Sequence, residues 1–166
     1  MRVRVVVADA SSLILAAKCE VLRPYAGRVE IIVSREVVRE VATPELRRRH
    51  VDAVRIAEAI DEGLLRVASV RSRRKLPLAL GRGEAAAIRL FLQERADLLL
   101  TDDGRAIRTC RLLAIPFTTT PRVVVDLHRD GALDTATARR ALEKLAVVGR
   151  YTREIIAAAL VALTET

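Results

Sequence analysis

The sequence predicts an α/β protein with three layers, in which a central parallel sheet lies between two layers of helices. Short runs rich in valine, isoleucine and leucine alternate along the chain with longer stretches of helical periodicity. The runs are continuously apolar, as in strands that are buried on both faces. Since parallel neighbours need a crossover connection, which is usually a helix, this order favours a parallel sheet covered on both sides.

The predicted strands and helices follow one another in order from the amino terminus. The strands are predicted at residues 3–8, 29–33, 64–70, 97–101 and 115–118. The helices that connect them are predicted at residues 13–22, 36–41, 50–62, 84–92 and 107–113. Ser11, Ser12 and Ser34 can cap the first two helices. Pro24 and Pro44 are expected to close them, because proline lacks the N–H that a helix interior uses.

The chain after Pro121 carries further helical patterns, which predict extra C-terminal helices. These patterns cover residues 122–128, a stretch around 142–145, and residues 155–163. In the last of them Ile156, Leu160 and Leu163 form an apolar stripe, which is expected to pack in the core. A length of 166 residues fits one domain, since domains commonly run to about 100–150 residues. We therefore expect residues 1–166 to fold as a single domain.

The charge balance favours partners that carry phosphate. The chain has 29 lysine and arginine residues against 21 aspartate and glutamate residues, a net charge of +8. Lys18, Lys75 and Lys144 are the lysines, so arginine dominates, and a guanidinium can meet two phosphate oxygens at once. Genome composition or ion-pair networks suited to heat could produce the same bias. Aromatic residues are scarce, so backbone contacts would dominate any binding of nucleic acid.

Membrane insertion, secretion and cysteine chemistry are not expected. The longest strongly apolar stretch, residues 155–163, is far shorter than the ~20 residues that a helix needs to cross a bilayer. Asp9 interrupts the apolar run that starts at Val5 before it reaches the length of a signal-peptide core. Cys19 and Cys110 lack the spacing of metal ligands and are expected to be buried thiols. We expect a cytoplasmic protein.

Two aspartates directly follow predicted strands. Asp9 follows the first strand and Asp102 the fourth, and in folds of this kind ligands bind beyond the carboxyl ends of the strands. Glu40, on a helix, and Glu84, at a helix start, could reach the same edge. Carboxylates about 4 Å apart would repel by about 4 kcal/mol per pair at an effective dielectric of about 20, so the cluster needs protons or cations. Oxygen ligands without histidine or cysteine favour Mg²⁺ or Mn²⁺ over zinc.

Each acid also has an ordinary structural explanation. Asp9 could cap a helix, Glu40 could be a solvated charge on a helix face, and Glu84 could be stabilised by the helix dipole. Asp102 and Asp103, followed by glycine, could form a turn. Taken together, acids at successive strand and helix ends favour a metal site, in which a bound water attacks a phosphodiester.

Four segments resemble, in order and spacing, the acidic motifs of PIN-domain nucleases. They are residues 7–14, 37–41, 83–88 and 100–103. The resemblance covers roughly residues 3–130 and is closest to prokaryotic stand-alone PIN proteins of the VapC toxin type, many of which pair with an antitoxin. It implies a three-layer α/β/α fold and a Mg²⁺- or Mn²⁺-dependent endoribonuclease that leaves a 5′-phosphate and a 3′-hydroxyl.

The resemblance also implies roles for individual residues. The residues that match the catalytic and metal-binding acids are Asp9, Glu40, Glu84, Asp102 and, as a frequent fifth acid, Asp103. The residues that match supporting hydroxyls are Ser11 and Thr101. There are two departures: Ser12 stands where close relatives often have proline, and residues 118–121 replace a Gly-Thr pattern. We expect both to affect the substrate loops more than the metal site.

Basic residues near these motifs are candidates for contacts with RNA phosphates. Arg105 follows the two aspartates, and a strongly basic loop contributes Arg73, Arg74 and Lys75. A charge run is also common in a loop or helix face that is merely solvated, and this alternative stays open.

The sequence therefore predicts a metal-dependent endoribonuclease whose partner is RNA. A toxin role, an antitoxin partner and a homodimer are further expectations. The alternative is a non-catalytic PIN-like module that binds RNA or a protein partner. A phosphatase of the haloacid-dehalogenase type would need an aspartate where Ser11 stands, and a receiver domain would need a lysine near the last strand, so both are disfavoured.

Overall fold

The computed structural model describes residues 2–165, which form a five-stranded parallel sheet with helices on both faces. The strands are β1 (Arg4–Ala8), β2 (Val29–Ser34), β3 (Leu65–Ala68), β4 (Leu98–Leu100) and β5 (Phe117–Thr118). Their order across the sheet is β3-β2-β1-β4-β5, and every pair of neighbours is parallel. The predicted three-layer α/β/α class is confirmed.

The helices cover the sheet and continue after its last strand. Those that precede β5 are α1 (Ala10–Lys18), α2 (Leu22–Ala26), α3 (Arg35–Val41), α4 (Pro44–Arg49), α5 (Val51–Asp61), α6 (Arg82–Glu94) and α7 (Gly104–Leu112). The C-terminal helices are α8 (Thr120–Arg129), α9 (Thr135–Val148) and α10 (Arg153–Ala162). Among residues 2–165, no helix combines the length and the apolar character that crossing a membrane requires.

Alternate residues of β1 face different helical layers. Val6 and Ala8 are fully buried in the larger apolar cluster, which includes α1, α5 and the C-terminal helices. Val7, between them, packs with Ile88 of α6 in a smaller cluster on the other face. Because helices cover both faces, the strand is apolar at every one of these positions, which explains the lack of alternation in its sequence.

The C-terminal helices close the larger cluster. Leu142 and Leu145 of α9 are fully buried there, and Ile156 and Leu163 are almost fully buried. The apolar stripe of the last helix therefore packs in the core, as expected. Cys19 and Cys110 are buried free thiols, which is also as expected.

Two prolines lie inside helices that the sequence analysis did not predict. The first helix ends at Lys18, and Glu20 adopts a left-handed backbone (φ 63°) that turns the chain into α2. Pro24 lies within the short helix α2, and Pro44 is the first residue of α4, which the Thr43 hydroxyl caps. Proline fits an initial helical turn because the N–H groups there have no partner within the helix. The prediction therefore extended the first helix too far and missed α4.

Strand pairing places the carboxyl ends of β1, β4 and β5 at one edge of the sheet. Ala8 pairs with Leu100, and the N–H of Asp9 donates to the Leu100 carbonyl at 3.1 Å. The N–H of Thr101 donates to the Thr118 carbonyl at 3.0 Å. The residues that follow these strands, including both candidate aspartates, consequently leave the sheet at this carboxyl edge.

Candidate active site

Asp9 is fully buried and is surrounded by polar groups. It caps α1 by accepting a hydrogen bond from the Ser12 N–H at 3.0 Å, and Oδ1 accepts another from the Ser11 hydroxyl at 2.8 Å. The Thr101 hydroxyl donates to Oδ2 from the end of β4. The predicted supporting hydroxyls, Ser11 and Thr101, therefore both contact this carboxylate. The same contacts fulfil the helix-cap explanation, so capping and catalysis are compatible at this position.

Burial sets the protonation of Asp9. Loss of solvation raises its pKa from 3.8 to about 6, against the lowering effect of hydrogen bonds from Thr101, Ser12 and Ser11. Since the pKa lies close to neutrality, a nearby positive charge would shift the balance further toward the carboxylate.

Ser12 ties this carboxylate to the neighbouring strand. Its side-chain oxygen lies 2.8 Å from Asp9 Oδ1 and 2.8 Å from the Leu100 carbonyl oxygen, and it is fully buried. The Asp9 carbonyl oxygen, at 3.2 Å, is a third acceptor, and the single hydroxyl proton points to one of the three at a time. A proline here would remove both the hydroxyl and the N–H that donates to Asp9. Ser12 therefore contacts the candidate acid itself, which the expected effect on the substrate loops did not include.

Asp102 is held by residues that follow β5. Thr120 donates twice to it, through its N–H to Oδ1 at 2.9 Å and through its hydroxyl to Oδ2 at 2.5 Å. The Tyr151 hydroxyl donates to Oδ1 at 2.6 Å. Burial raises the pKa of Asp102, and these hydrogen bonds lower it in part. The second departure from the family pattern, at residues 118–121, therefore also contacts a candidate acid.

Tyr151 reaches this site from the connection between α9 and α10. Gly149, the residue after α9, leaves room for its ring, because a Cβ at Gly149 would overlap the Tyr151 ring and lie 2.8 Å from the Leu145 carbonyl oxygen. Burial raises the pKa of the Tyr151 hydroxyl, and the negative charge of Asp102 raises it further. The phenol therefore remains a hydrogen-bond donor to Asp102.

Glu40 and Glu84 form a second acidic pair, brought together where α3 packs against the start of α6. A Cβ at Gly83 would lie 2.6 Å from Glu40 Oε1, so glycine is what lets the carboxylate approach the α6 backbone. Burial raises the pKa of Glu40, repulsion from Glu84 raises it further, and hydrogen bonding from the Gly83 backbone lowers it. Glu36, one helical turn before Glu40, has a buried Oε2 atom with no hydrogen-bond partner among residues 2–165.

Asp103 acts as a helix cap. It precedes α7, and its Oδ1 accepts from the N–H groups of Arg105 and Ala106 at 2.9 and 2.8 Å. Its own N–H donates to the Thr101 hydroxyl oxygen at 3.2 Å. One oxygen of this carboxylate is therefore committed to the helix start, while Oδ2 accepts no hydrogen bond among residues 2–165.

The predicted RNA-contacting residues are all exposed. Arg105 lies in the first turn of α7, directly after the Asp103 cap. Arg73, Arg74 and Lys75 lie in the irregular segment between β3 and α6. They are thus placed on the surface, as contacts with phosphates would require.

The donor chemistry of the carboxyl edge suits a hard divalent cation. The candidate ligands are all carboxylates, and the buried, unpartnered oxygen of Glu36 lies on the same helix as Glu40. Mg²⁺ commonly binds proteins through one or two carboxylates, while waters and substrate phosphates supply the rest, and the Glu40–Glu84 pair fits that pattern. Within residues 2–165, no three acidic, histidine or cysteine side chains are placed to hold one ion together.

Comparison with known proteins identifies the family. The family model described as DUF3368, a PIN domain, matches residues 5–165. The chain belongs to this PIN-domain family. The match includes α9 and α10, so it extends beyond residues 3–130, where the resemblance was strongest. The resemblance to PIN-domain proteins is thereby confirmed, and PIN domains are generally nucleases that typically use divalent metals.

One solved structure shows the same fold. It is a PilT N-terminus domain protein from the hyperthermophilic archaeon Sulfolobus solfataricus P2, with a TM-score of 0.53 and 16% sequence identity, over 78% of this chain and 94% of that chain. The comparison with curated proteins gives no match.

Sequence reasoning missed several residues that contact or adjoin the acids: Ser12, Glu36, Thr120 and Tyr151. Ser12 and Thr120 lie in segments that were noted as departures from the family pattern, and that was the available signal. Tyr151 lies 49 positions from Asp102 and carries no local signal.

Proposed function

We propose that this PIN-domain protein is a Mg²⁺- or Mn²⁺-dependent endoribonuclease. The observation that carries the proposal is the placement of Asp9 and Asp102 after the paired ends of the adjacent strands β1 and β4. Burial raises the pKa of both carboxyl groups, so a cation beside them would be favoured. The net charge of +8 favours a polyanionic substrate such as RNA.

The hydrogen bonds of each acid decide how it would bind the cation. Glu40 and Glu84 would hold a cation from the α3–α6 side. Within residues 2–165 the acids are not placed to share one ion as the side chains stand, so Asp102 would join this cation only after a side-chain movement. It would then add a single oxygen, because Oδ1 accepts two hydrogen bonds and Oδ2 accepts one, which leaves Oδ2 a free lone pair. A divalent cation bound there lowers the pKa of a water and stabilises the charge that develops on phosphate.

Asp9 and the hydroxyl groups around it would fix the position of Asp102 at the carboxyl edge of the sheet. The Ser11 hydroxyl donates to Asp9, and its oxygen accepts from the Asp102 N–H at 3.3 Å, so the two acids are linked through one serine. Asp9 Oδ2 accepts a hydrogen bond from Thr101 alone among residues 2–165, so it too keeps a lone pair that could face a cation. In the proposed reaction the water oxygen bonds to phosphorus as the bond from phosphorus to the 3′-oxygen breaks, which leaves a 5′-phosphate and a 3′-hydroxyl.

Cleavage of an end-labelled RNA tests the proposal. Purified protein is incubated with the RNA in Mg²⁺, in Mn²⁺ and in EDTA. We expect cleavage with either metal and none in EDTA. The Asp9→Asn variant is expected to cut at least ~100-fold more slowly, because the interactions at a metal-assisted site are worth several kcal/mol.

Asp61→Asn provides the matched control. Asp61 is an exposed residue at the end of α5, and its substitution makes the same change in charge and shape. We expect this variant to cleave at the wild-type rate. Equal cleavage by the wild-type and Asp9→Asn proteins would show that a contaminating nuclease or a different site is responsible.

A second candidate function is supported by the structural role of the hydrogen bonds around Asp9. Four donor groups, from Ser11, Ser12 and Thr101, hold the carboxylate as a helix cap, and they would do so equally in a PIN-like module that binds RNA without cutting it. In that case RNA would be bound but left intact in both metals, and Asp9→Asn would change only the stability of the fold.

A toxin role paired with an antitoxin is the finer form of the nuclease proposal. It would make expression of the wild-type protein arrest bacterial growth, while Asp9→Asn would permit growth at the same expression level. Release of the arrest by a co-expressed neighbouring gene would identify the antitoxin. Arrest by both forms would disconnect toxicity from the acidic site.

A further inference from the structure

The arginines of this chain differ in whether a carboxylate balances their charge. Those that form ion pairs are Arg2, Arg23, Arg49, Arg55, Arg66 and Arg122. Arg105, Arg108 and Arg111 of α7 are exposed, and within residues 2–165 none of them has a carboxylate at ion-pair distance. No protein ion pair among residues 2–165 therefore balances the charge of these three arginines.

These three side chains line one groove. Their spacing of three residues places them along a single face of α7, with about 4.5 Å of helix rise between successive residues. The groove has a volume of about 740 Å³, and Leu78 and Ala79 form its opposite wall. We call this feature, defined by Arg105, Arg108, Arg111, Leu78 and Ala79, the basic groove.

The wall opposite α7 is part of a basic loop that α6 holds in place. The Gln93 amide donates to the Ser69 carbonyl at 3.0 Å, and its oxygen accepts from the Arg71 N–H at 2.8 Å. Arg89 Nε donates to the Arg74 carbonyl at 2.9 Å. Side chains of α6 therefore anchor the backbone of the loop. This gives the loop, which carries the exposed cations, a defined position relative to α7.

A smaller groove continues the basic one. Leu78 and Ala79 line both, and the second groove, of about 330 Å³, adds Lys75 and Arg89. Positive side chains therefore extend from α7 across the loop to α6.

The α7 residues of the basic groove follow the candidate aspartates directly in the chain, although none of those acids lines the groove among residues 2–165. The Asp103 cap precedes α7, and Arg105 follows it in the first turn, so the α7 end of the groove lies next to the carboxyl edge of the sheet. At the other end of the row, the Arg111 guanidinium lies 5.8 Å from the centre of the Phe117 ring, a contact that orients it.

We propose that the basic groove binds the phosphate backbone of single-stranded RNA and leads it to Asp102. The inference rests on the proposed function for the identity of the nucleic acid. Arginines without protein carboxylates can contact phosphates without breaking an ion pair, and each contact releases cations condensed on the RNA. The scarcity of aromatic residues on this surface predicts contacts to the backbone with little dependence on base sequence.

The salt dependence of RNA binding tests this inference independently of cleavage. Binding of a labelled single-stranded RNA is measured in EDTA at several salt concentrations, for the wild type and for Arg105→Ala/Arg108→Ala. Each phosphate contact with a single strand contributes about 0.7 to the slope of log K against log salt. We expect the double variant to lower the slope by about 1.4 and to weaken binding to all RNA sequences alike.

Arg129→Ala/Arg139→Ala is the matched control, since both arginines are exposed, lie on α8 and α9, and form no ion pair among residues 2–165. It also lowers the net charge by two, and its slope should equal that of the wild type. Equal slopes for all three proteins, an equal loss in both double variants, or no RNA binding by the wild type would each overturn the inference. If the Arg105→Ala/Arg108→Ala variant lowers the slope but the wild type cuts no RNA in metal, the groove binds RNA and the proposed nuclease activity is rejected. If the wild type cuts RNA but the variant leaves the slope unchanged, the nuclease stands and the groove proposal is rejected.

Discussion

Asp9 and Asp102 leave adjacent strands at the same edge of the sheet but are held in different ways. The donors to Asp9 are mostly near it in sequence: Ser11 and Ser12 open the helix that follows it, and Thr101 comes from the neighbouring strand. The donors to Asp102 are Thr120 and Tyr151, which are 18 and 49 positions away. One acid is therefore fixed by a local strand-to-helix turn and the other by the C-terminal part of the chain.

This difference assigns the C-terminal helices a part in the site. The α9–α10 connection delivers the Tyr151 hydroxyl to the carboxylate of Asp102. The family match also extends across both helices, to residue 165. Perturbing α9 and α10 should therefore disturb Asp102 while leaving Asp9 intact, and perturbing the start of α1 should do the opposite.

The largest expected effect on stability concerns the charge on Asp9. Its pKa in the folded protein is about 6, above the ordinary 3.8, so between these values the folded state binds more protons than the unfolded state. The free energy of unfolding therefore receives its full contribution from this group below about pH 4 and falls as the pH rises through 6, by about 3 kcal/mol in all. Asp9→Asn should remove this fall.

Urea unfolding of both proteins between pH 4 and pH 8, in EDTA, measures the effect. The difference between the variant and the wild type cancels the titration of the other acids. We expect Asp9→Asn to gain stability relative to the wild type as the pH rises, even though it loses cleavage. A difference that stays constant with pH would mean that Asp9 titrates near its ordinary value when folded.

Tyr151→Phe should have the next largest effect, and it acts on the other acid. The change removes a hydrogen bond to a charged group, which is worth about 1.5–3 kcal/mol of unfolding free energy. Loss of a hydrogen bond that orients a metal-binding carboxylate typically costs 10–100-fold, so we expect about 10-fold weaker Mn²⁺ binding by calorimetry and slower cleavage.

Gly149→Ala supplies an independent perturbation of the same contact, because its Cβ would displace the Tyr151 ring while leaving the hydroxyl present. Tyr25→Phe is the matched control, since Tyr25 is also buried and contacts none of the candidate acids. If Tyr151→Phe and Gly149→Ala both lower stability without changing Mn²⁺ binding, the tyrosine has a packing role alone.

The same comparison explains what the sequence could predict. The strands could be predicted because burial on both faces leaves continuous apolar runs, and the Asp9 and Asp102 positions followed from strands that end in acids. Pro24 and Pro44 were predicted to follow helix ends but lie in the first turns of α2 and α4, because proline is compatible with a helix start as well as with a helix end. The contact from Tyr151 depends on how α9 packs against α8, and no local pattern encodes that long-range geometry.

The Glu40–Glu84 pair could be predicted in part from the sequence. Its acids could be chosen from the family motifs, and the glycine of the third motif turned out to have a steric reason. Gly83 admits the Glu40 carboxylate against the α6 backbone, which is visible only once α3 and α6 are packed together. The family motifs thus indicated the candidate acids, while the packing of α3 on α6 explains why a glycine precedes Glu84.

The smallest expected effect is that of Ser12→Ala, which tests the local hydrogen bonds that hold Asp9. Asp9 keeps its hydrogen bonds from the Ser12 N–H, Ser11 and Thr101, and the Leu100 carbonyl keeps the one from the Asp9 N–H. We therefore expect a loss of only about 1 kcal/mol. Because the Ser12 hydroxyl helps to lower the Asp9 pKa, the loss of unfolding free energy should be larger at pH 8 than at pH 4 in urea unfolding.

Thr109→Val is the control. It removes a buried hydroxyl that is bonded to the Arg105 carbonyl, and it should show no such pH dependence. Equal pH dependence in both variants would mean that the Ser12 proton belongs to Leu100 rather than to Asp9.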